Sequence, residues 1–283
     1  MLGIVDVGGG MRCVYSGGVY DCFLDKQIKI DYCLGVSAGS ANLMSYVCSQ
    51  RGRNLEFYSN YALRKEYMSV ENFLKTGSYI GLDYIFSALC NDDGEYPLDY
   101  EVFSSSAINY KVAATRAVDG KAVFFTNDDV AQNNYNILKA SCCLPVVCKP
   151  YQIGGEKYYD GGIAEPIPIK KAFEDGCDKV ILVLSKPREE YMIPFGREKL
   201  LKHFLRNYPQ IAKLMSDIHK RCSEALSFVA ECEKNGSVLV LEPKDCFGMK
   251  TLTRNKDVIC KMYESGYADA LNEIENNIFF GEV

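Results

Sequence analysis

Short apolar runs recur along the chain, and longer amphipathic segments separate them. The runs that predict strands lie at residues 3–7, 30–36, 157–159, 180–184 and 238–241. The segments that predict helices lie at residues 16–26, 38–48, 135–142, 166–174, 197–207, 210–234 and 256–276. Strands in a parallel sheet are covered on both faces and read as continuous apolar runs. The alternation of such strands with helices therefore predicts an α/β fold with a mainly parallel sheet.

Two further stretches add detail to this outline. Residues 110–118 and 121–127 flank Asp119-Gly120, a pair that tolerates positive φ and predicts a hairpin. Residues 51–106 have weaker periodicity, with helical patterns at 55–64, 70–75 and 83–90, and we interpret them as a cap over a site. We find no repeat or linker, and we expect one domain over residues 1–283, in which the C-terminal helices and a late strand complete the sheet.

Composition narrows the class of protein. The formal net charge of −5 and the pI of about 5.3 argue against nucleic acid as a partner. The 13 cysteines are odd in number, lack C-x-x-C spacing and do not cluster with the two histidines, so neither a metal nor a disulfide framework is expected. No signal peptide or membrane-spanning run is evident, and we expect a cytoplasmic protein that needs no cofactor.

The strongest local signal is Gly35-Val36-Ser37-Ala38-Gly39. In a G-x-S-x-G elbow the serine lies on a sharp strand-to-helix turn, and small neighbours let the chain fold back. The pattern here falls between a predicted strand and a predicted helix, which favours the elbow over a chance match in a loop. Ser37 is therefore the candidate nucleophile.

A second signal is Gly8-Gly9-Gly10-Met11-Arg12, which follows the first predicted strand. Consecutive glycines allow backbone N–H groups to converge on an anion, such as the oxyanion of acyl transfer. The alternative is a dinucleotide-binding turn, but Cys13 stands where the third glycine belongs, and Ser37 stands where a ribose-binding acid is expected.

Asp160-Gly161-Gly162 is a third signal, although Asp-Gly alone is common in ordinary turns. Together with GGGMR at 8–12, GVSAGS at 35–40 and ASCCLPVVCKP at 140–150, the YDGG segment at 159–162 resembles the patatin-like phospholipase family. The similarity runs through about residues 3–185, and QRGRN at 50–54 suggests the bacterial branch.

The resemblance implies a three-layer α/β/α fold and a Ser-Asp dyad. It implies that Ser37 is the nucleophile, that Asp160 is its base, and that Gly9, Gly10 and Met11 donate to the oxyanion beside Arg12. The family has glycine after that arginine, where this chain has Cys13. A positive φ at this position would strain cysteine and shift the loop.

The histidines provide the main alternative. His203 and His219 follow Ser37 and Asp160 in the order of an α/β-hydrolase triad. Both are predicted in the middle of charged helices, however, and not in a loop after the last strand. We therefore expect them to be solvated surface residues.

The helices at 197–207 and 210–234 combine apolar faces with lysines and arginines. Such helices can lie on anionic lipid, although packing on the sheet is the simpler interpretation. We expect a lipid or other acyl ester as the substrate, with peripheral membrane contact as an open possibility and the oligomeric state undetermined. A catalytically weak protein that binds lipid or a partner through the same pocket is the second hypothesis.

Overall fold

The computed structural model describes residues 1–194, 196 and 198–280. In this part of the chain eight strands form one sheet: neighbours in the series β5-β6-β3-β2-β1-β7-β8 are hydrogen-bonded to each other, and β4 pairs with the opposite edge of β3. The strands are β1 (Leu2–Asp6), β2 (Tyr32–Val36), β3 (Asn109–Arg116), β4 (Ala122–Phe125), β5 (Tyr151–Ile153), β6 (Glu156–Asp160), β7 (Lys179–Val183) and β8 (Val238–Leu241). Strands β3, β2, β1, β7 and β8 are parallel to one another, while β4, β5 and β6 pair antiparallel.

The described residues form eleven α-helices, and some of them pack on each face of this sheet. They are α1 (Val14–Asp25), α2 (Ala38–Val47), α3 (Arg53–Ser59), α4 (Val70–Thr76), α5 (Tyr100–Ser105), α6 (Asn136–Ser141), α7 (Ile169–Glu174), α8 (Glu198–Phe204), α9 (Pro209–Ser216), α10 (Ile218–Lys234) and α11 (Lys256–Asn276). No helix within the described ranges is both long and apolar enough to cross a bilayer.

Alternate residues of the central strands point into two separate cores. Ile4 and Cys33 belong to the core that contains α1, α2 and α11, whereas Val5 and Leu34 belong to the core that contains α7 and α10. Successive side chains of a strand point to opposite faces, so each run of apolar residues supplies both cores. The α/β prediction and the three-layer fold implied by the resemblance are confirmed.

Helices α1 and α11 pack in direct backbone contact. A Cβ atom placed on Gly266 would lie 2.0 Å from the carbonyl oxygen of Tyr15, and one on Gly18 would lie 2.0 Å from that of Tyr263. The Tyr15 hydroxyl donates to Asp269, and the Tyr263 hydroxyl donates to Asp21. Helix α11, near the C-terminus, thereby covers the first helix of the motif-bearing part.

The structure corrects several predicted elements. The helix predicted at 210–234 is two helices, α9 and α10, which meet at Asp217. Arg221 donates to the carbonyl of Leu214, which has no partner within the last turn of α9, and this bond stabilises the break. Residues Tyr84–Leu89 form a π-helical segment, and α5 and β5 were not predicted.

The basic helices are only partly available to a lipid surface. Leu201 and Leu205 are buried, whereas Leu200 and Phe204 are exposed. Arg221 turns inward, bonds to the carbonyls of Ile163 and Leu214, and has a pKa lowered by burial. Membrane contact through these helices stays a prediction.

Candidate active site

Ser37 lies between the end of β2 and the first residue of α2. Its backbone has φ 54° and ψ −135°, a strained conformation for a residue with a side chain. The turn is sharp because its glycines permit close approach: a Cβ on Gly35 would lie 2.3 Å from Cα of Ser40, and one on Gly39 would lie 2.3 Å from a carboxylate oxygen of Asp6. The geometry is that of the elbow expected from the sequence.

Two serines hold the elbow in this conformation. The N–H of Ser37 donates to Oγ of Ser141 at 2.8 Å, and the Ser141 hydroxyl donates to the carbonyl of Ala113 in β3 at 2.6 Å. The hydroxyl of Ser40 donates to the carbonyl of Ser37 at 2.6 Å. Ser141 lies within the 140–150 motif, where the sequence alone indicates no role for it.

Asp160 ends β6, and the register of the sheet brings it beside the elbow. Val36 pairs with Ala113 of β3, and Asp160 pairs with the next residue, Ala114. Strand β4 occupies the opposite edge of β3 along these residues, so β2 and β6 follow one another along the same edge. Asp160 therefore lies immediately beyond the strand end from which Ser37 emerges.

The Asp160 carboxyl is buried and incompletely hydrogen-bonded. Its Oδ1 accepts the N–H of Gly162 at 2.9 Å, while Oδ2 has no partner in hydrogen-bond geometry among the described residues. Burial raises the pKa of Asp160 to about 6, and interaction with the Ser37 hydroxyl and with Gly162 limits the rise. Serine and carboxyl are thus neighbours whose contact is looser than a formed hydrogen bond, as is common in active sites without substrate.

The glycine loop lies against this pair. Gly8, Gly9 and Gly10 all have positive φ, and a Cβ on Gly8 would lie 2.3 Å from the carbonyl oxygen of Val36 and 2.9 Å from Cβ of Ser37. The N–H groups of Gly9 and Gly10 have no acceptor among the described residues. Two free donors therefore stand in the loop that packs on the elbow.

The remaining predicted residues of this region are Met11 and Arg12, which follow the glycines, and Gly161, which follows Asp160. The N–H of Met11 donates to the carbonyl of Thr251 at 2.9 Å, so it is occupied in this structure. Nε of Arg12 is buried without a partner, and Arg12 forms no ion pair with a described residue. Gly161 follows Asp160 at the start of a 3₁₀ turn, Gly161–Ile163.

Cys13 does not strain the loop. Its φ is −65°, its side chain is fully buried, and its carbonyl accepts bonds from Asn42 and Ser16. The loop would be shifted only if Cys13 had a positive φ, and its φ is negative. Burial also raises the pKa of the Cys13 thiol well above its ordinary value, which leaves the thiol unreactive.

Asp6 is a buried carboxyl that the sequence analysis did not select. Its Oδ1 accepts the N–H of Gly8 at 2.9 Å, and its Oδ2 accepts the Tyr20 hydroxyl at 2.8 Å. The same carboxyl contacts Gly39 of the elbow. The sequence feature that could have identified Asp6 is the presence of a charged residue inside the first apolar run. Its contacts with Gly8 and Gly39 join the glycine loop to the elbow.

The histidines are not hydrogen-bonded to this site. His203 is exposed on α8, and Nδ1 of His219 on α10 has no partner among the described residues. Neither residue lines the pocket at Ser37.

An apolar pocket of about 820 Å³, a volume that includes the open solvent at its mouth, is lined by Gly10 and Ser37. One wall is a face of α2, and the others come largely from residues 53–98. The cap interpreted from the weak periodicity of residues 51–106 thus corresponds to the pocket walls.

Comparison of the sequence with known protein families identifies the family of this chain. The family model described as patatin-like phospholipase matches residues 7–173, which is more than half of the chain. The chain belongs to the patatin-like phospholipase family. Residues 208–280 match a second family model, which is described as a domain of unknown function, DUF6363. Whether the chain is one domain stays a prediction, although β8 and α11 of this second region pack on the sheet and on α1.

Two known proteins are similar to this patatin-like chain in sequence or in structure. It is 28% identical over 198 residues to the uncharacterized protein YjjU of Escherichia coli, which corresponds to 68% of this chain and 54% of YjjU. The chain thus spans about half the length of that relative. The crystal structure of VipD from Legionella pneumophila superimposes with a TM-score of 0.46 and 13% identity, over 96% of this chain and 66% of VipD.

Proposed function

We propose that the protein is a serine acyl hydrolase that cleaves lipid esters by a Ser37–Asp160 dyad. The observation that carries the proposal is the position of a buried carboxyl, with one unpartnered oxygen, beside a strained serine at the start of a helix. The family membership supports hydrolysis of lipids as the class of reaction.

The reaction starts with transfer of the Ser37 proton to Oδ2 of Asp160 as Oγ attacks the ester carbonyl. The C=O electron pair moves to oxygen, and the resulting oxyanion accepts bonds from the N–H groups of Gly9 and Gly10, near the positive charge of Arg12. Asp160 then returns the proton to the departing alcohol, and the acyl group remains on Ser37. Water attacks this acyl-enzyme and gives a proton to Asp160, and Asp160 passes that proton to Oγ of Ser37 as the bond between Oγ and the acyl carbon breaks and the acid is released.

The raised pKa of Asp160 supports its role as a base. An aspartate of ordinary pKa, near 3.9, is a weak base at neutral pH. A carboxyl whose pKa is about 6 remains mostly ionised at pH 7 and accepts a proton more readily. Met11 is an additional donor only if its bond to Thr251 opens.

Labelling with a fluorophosphonate probe tests the nucleophile. We expect the purified protein to be labelled at Ser37 and to hydrolyse nitrophenyl esters, and we expect Ser37→Ala to fold normally and lose both properties. Labelling at another residue, or wild-type turnover by Ser37→Ala, would contradict the assignment. A folded wild-type protein that is neither labelled nor active would favour the binding-protein hypothesis.

The double variant His203→Gln/His219→Gln is the matched control. We expect it to retain labelling and most turnover, since neither imidazole is hydrogen-bonded to the site. Loss of a histidine from a conventional triad lowers the rate by several orders of magnitude. Such a loss in the folded double variant would replace the dyad with a triad.

A further inference from the structure

The pocket at Ser37 follows one face of α2. The residues of this helix and its cap that line it are Ser37, Ala38, Ala41, Asn42 and Ser45. They recur at three- to four-residue intervals, so they form a stripe that points in one direction. Eight residues separate Ser37 from Ser45, which corresponds to about 12 Å along the helix.

The pocket is lined mainly by apolar side chains beyond the reacting centre. Phe57, Ile85, Phe86, Leu138 and Leu144 are among these apolar residues. Two polar lining residues are already hydrogen-bonded: Asn42 donates to the carbonyl of Cys13, and Asn54 donates to the carbonyl of Asn42. A ligand in this space therefore gains mainly by apolar contact.

A wall held by Arg53 lies near the C-terminal end of α2, because the N–H of Gln50 donates to the carbonyl of Ser45 and the Gln50 side chain donates to the carbonyl of Pro97. The guanidinium of Arg53, a residue that is 94% buried, donates to the carbonyls of Pro97 and Tyr96 at 2.7 and 2.6 Å. It also donates to Sγ of Cys90 and stacks 4.4 Å above the Tyr96 ring. Arg53, Cys90, Tyr96 and Leu98 all line the pocket.

This wall resists a longer chain for two reasons. The N–H groups of Tyr96 and Leu98 donate to the carbonyls of Leu89 and Cys90, so the segment is fixed by backbone bonds. A methylene chain pushed beyond the wall would also separate a desolvated guanidinium from its acceptors, which is unfavourable.

We propose that this pocket binds one linear acyl chain of about ten carbons, and that the protein selects medium-chain esters. With C–C bonds of about 1.52 Å and angles near 111°, an extended chain advances about 1.25 Å per carbon, so about ten carbons span the distance from Ser37 to the wall. The proposal rests on the proposed function, since it assigns the acyl side of the same site.

A series of nitrophenyl esters with acyl chains of four to sixteen carbons, each below its micelle concentration, tests the limit. We expect kcat/KM to rise by up to about fourfold per added carbon, to peak near eight to ten carbons, and to fall by roughly tenfold or more at sixteen. Leu98→Ala, which removes side-chain volume from the wall, should move the peak to longer chains. Ser45→Leu, which fills the far part of the stripe, should move it to shorter ones.

Leu74→Ala is the control, because Leu74 lies on α4 with 79% of its surface exposed. It should leave the peak unchanged. A wild-type peak at fourteen carbons or more, or the same profile in both pocket variants, would overturn the proposal.

A second measurement separates the pocket from the chemistry. Calorimetric binding of free fatty acids of six to sixteen carbons to Ser37→Ala needs no turnover. An affinity maximum near ten carbons that shifts in the Leu98→Ala and Ser45→Leu backgrounds supports the proposal even if no ester is cleaved. Affinity that keeps rising to sixteen carbons contradicts it even if Ser37 is active.

Discussion

At the scale of single residues, the site depends on a strained serine and a carboxyl that is costly to ionise. The backbone of Ser37 is kept at φ 54° by its N–H bond to the Ser141 hydroxyl, which itself donates to Ala113, and by the small residues around the turn. Asp160 is held by its N–H bond to the carbonyl of Cys143 and by the Thr115 hydroxyl, which donates to its carbonyl. Neighbouring residues hold both Ser37 and Asp160 in place, as is typical of costly conformations at functional sites.

The pKa of Asp160 predicts the pH dependence of activity. The base must be ionised, so kcat/KM should be constant above pH 7 and fall as the pH drops through about 6. Below that value the loss should approach roughly tenfold per pH unit. A profile measured with a nitrophenyl ester checks this, and a midpoint near 4 would contradict the effect of burial.

The variant Asp160→Asn supplies a second measurement of the same pKa. It should lose nearly all turnover because an amide does not accept the serine proton. The raised pKa means that the folded state holds the proton of Asp160 more tightly than the unfolded state does. Ionisation of Asp160 therefore lowers the free energy of unfolding as the pH rises from about 4 to about 6, and the full loss is present above that range. A rise of about 2 units corresponds to about 3 kcal/mol, so Asp160→Asn should be more stable than wild type at pH 7.5 by up to about that amount. Denaturant titrations at pH 7.5 and 4 should show this advantage at the higher pH only.

At the scale of elements, the contact between α1 and α11 restricts two positions to glycine, because the two helix backbones touch there. Gly18 and Gly266 allow the two backbones to touch, and two tyrosine–aspartate bonds flank the contact. The glycine loop leads directly into α1, so the position of α11 bears on the position of the loop.

Gly266→Ala should destabilise the protein. Alanine favours helix by about 1 kcal/mol over glycine, but the new Cβ would lie 2.0 Å from a backbone oxygen of Tyr15, and neither helix can turn away from it. Overpacking typically costs about 1–3 kcal/mol, and we expect the upper part of this range because the clash is with backbone; after the propensity gain, the net loss in the free energy of unfolding should be about 1–2 kcal/mol.

Ala268→Val is the control on the same helix, since Ala268 is exposed and valine there should cost less than about 0.7 kcal/mol. Chemical denaturation of both variants gives the comparison. Equal or greater stability of Gly266→Ala would show that the helices separate freely.

At the scale of the whole molecule, the residues after 207 complete the sheet and the helix layer that the preceding residues begin. Strand β8 pairs parallel with β7, and α11 covers α1. Residue Thr251, in the connection between them, accepts the N–H of Met11. The part that carries the motifs therefore depends on the C-terminal region for one sheet edge, one helix face and one contact to the glycine loop.

A chain truncated after residue 207 should fail to fold cooperatively. It would expose the edge of β7 and the apolar face of α1, which favours aggregation. We expect loss of the cooperative thermal transition and binding of a hydrophobic dye, while the full chain shows one transition. A truncated protein that unfolds cooperatively and retains fluorophosphonate labelling would indicate two domains.

The sequence by itself determined the features that depend on neighbouring residues. The elbow at Ser37 and the glycine loop were identified because their turns require particular residues within a few positions. The strands β1, β2, β7 and β8 were found because strands buried on both faces read as apolar runs. The helix at residues 256–276 coincides with α11.

Only the tertiary structure decided how distant parts meet. Asp160 lies beside Ser37 because β2 and β6 share one edge of β3, and pairing register is not written in either motif alone. The partners of Asp6, the negative φ of Cys13 and the occupied N–H of Met11 likewise depend on contacts across the chain. The pocket depends on residues 53–98, whose short helices pack by tertiary contact and therefore show weak periodicity, since packing outweighs local propensity in segments this short.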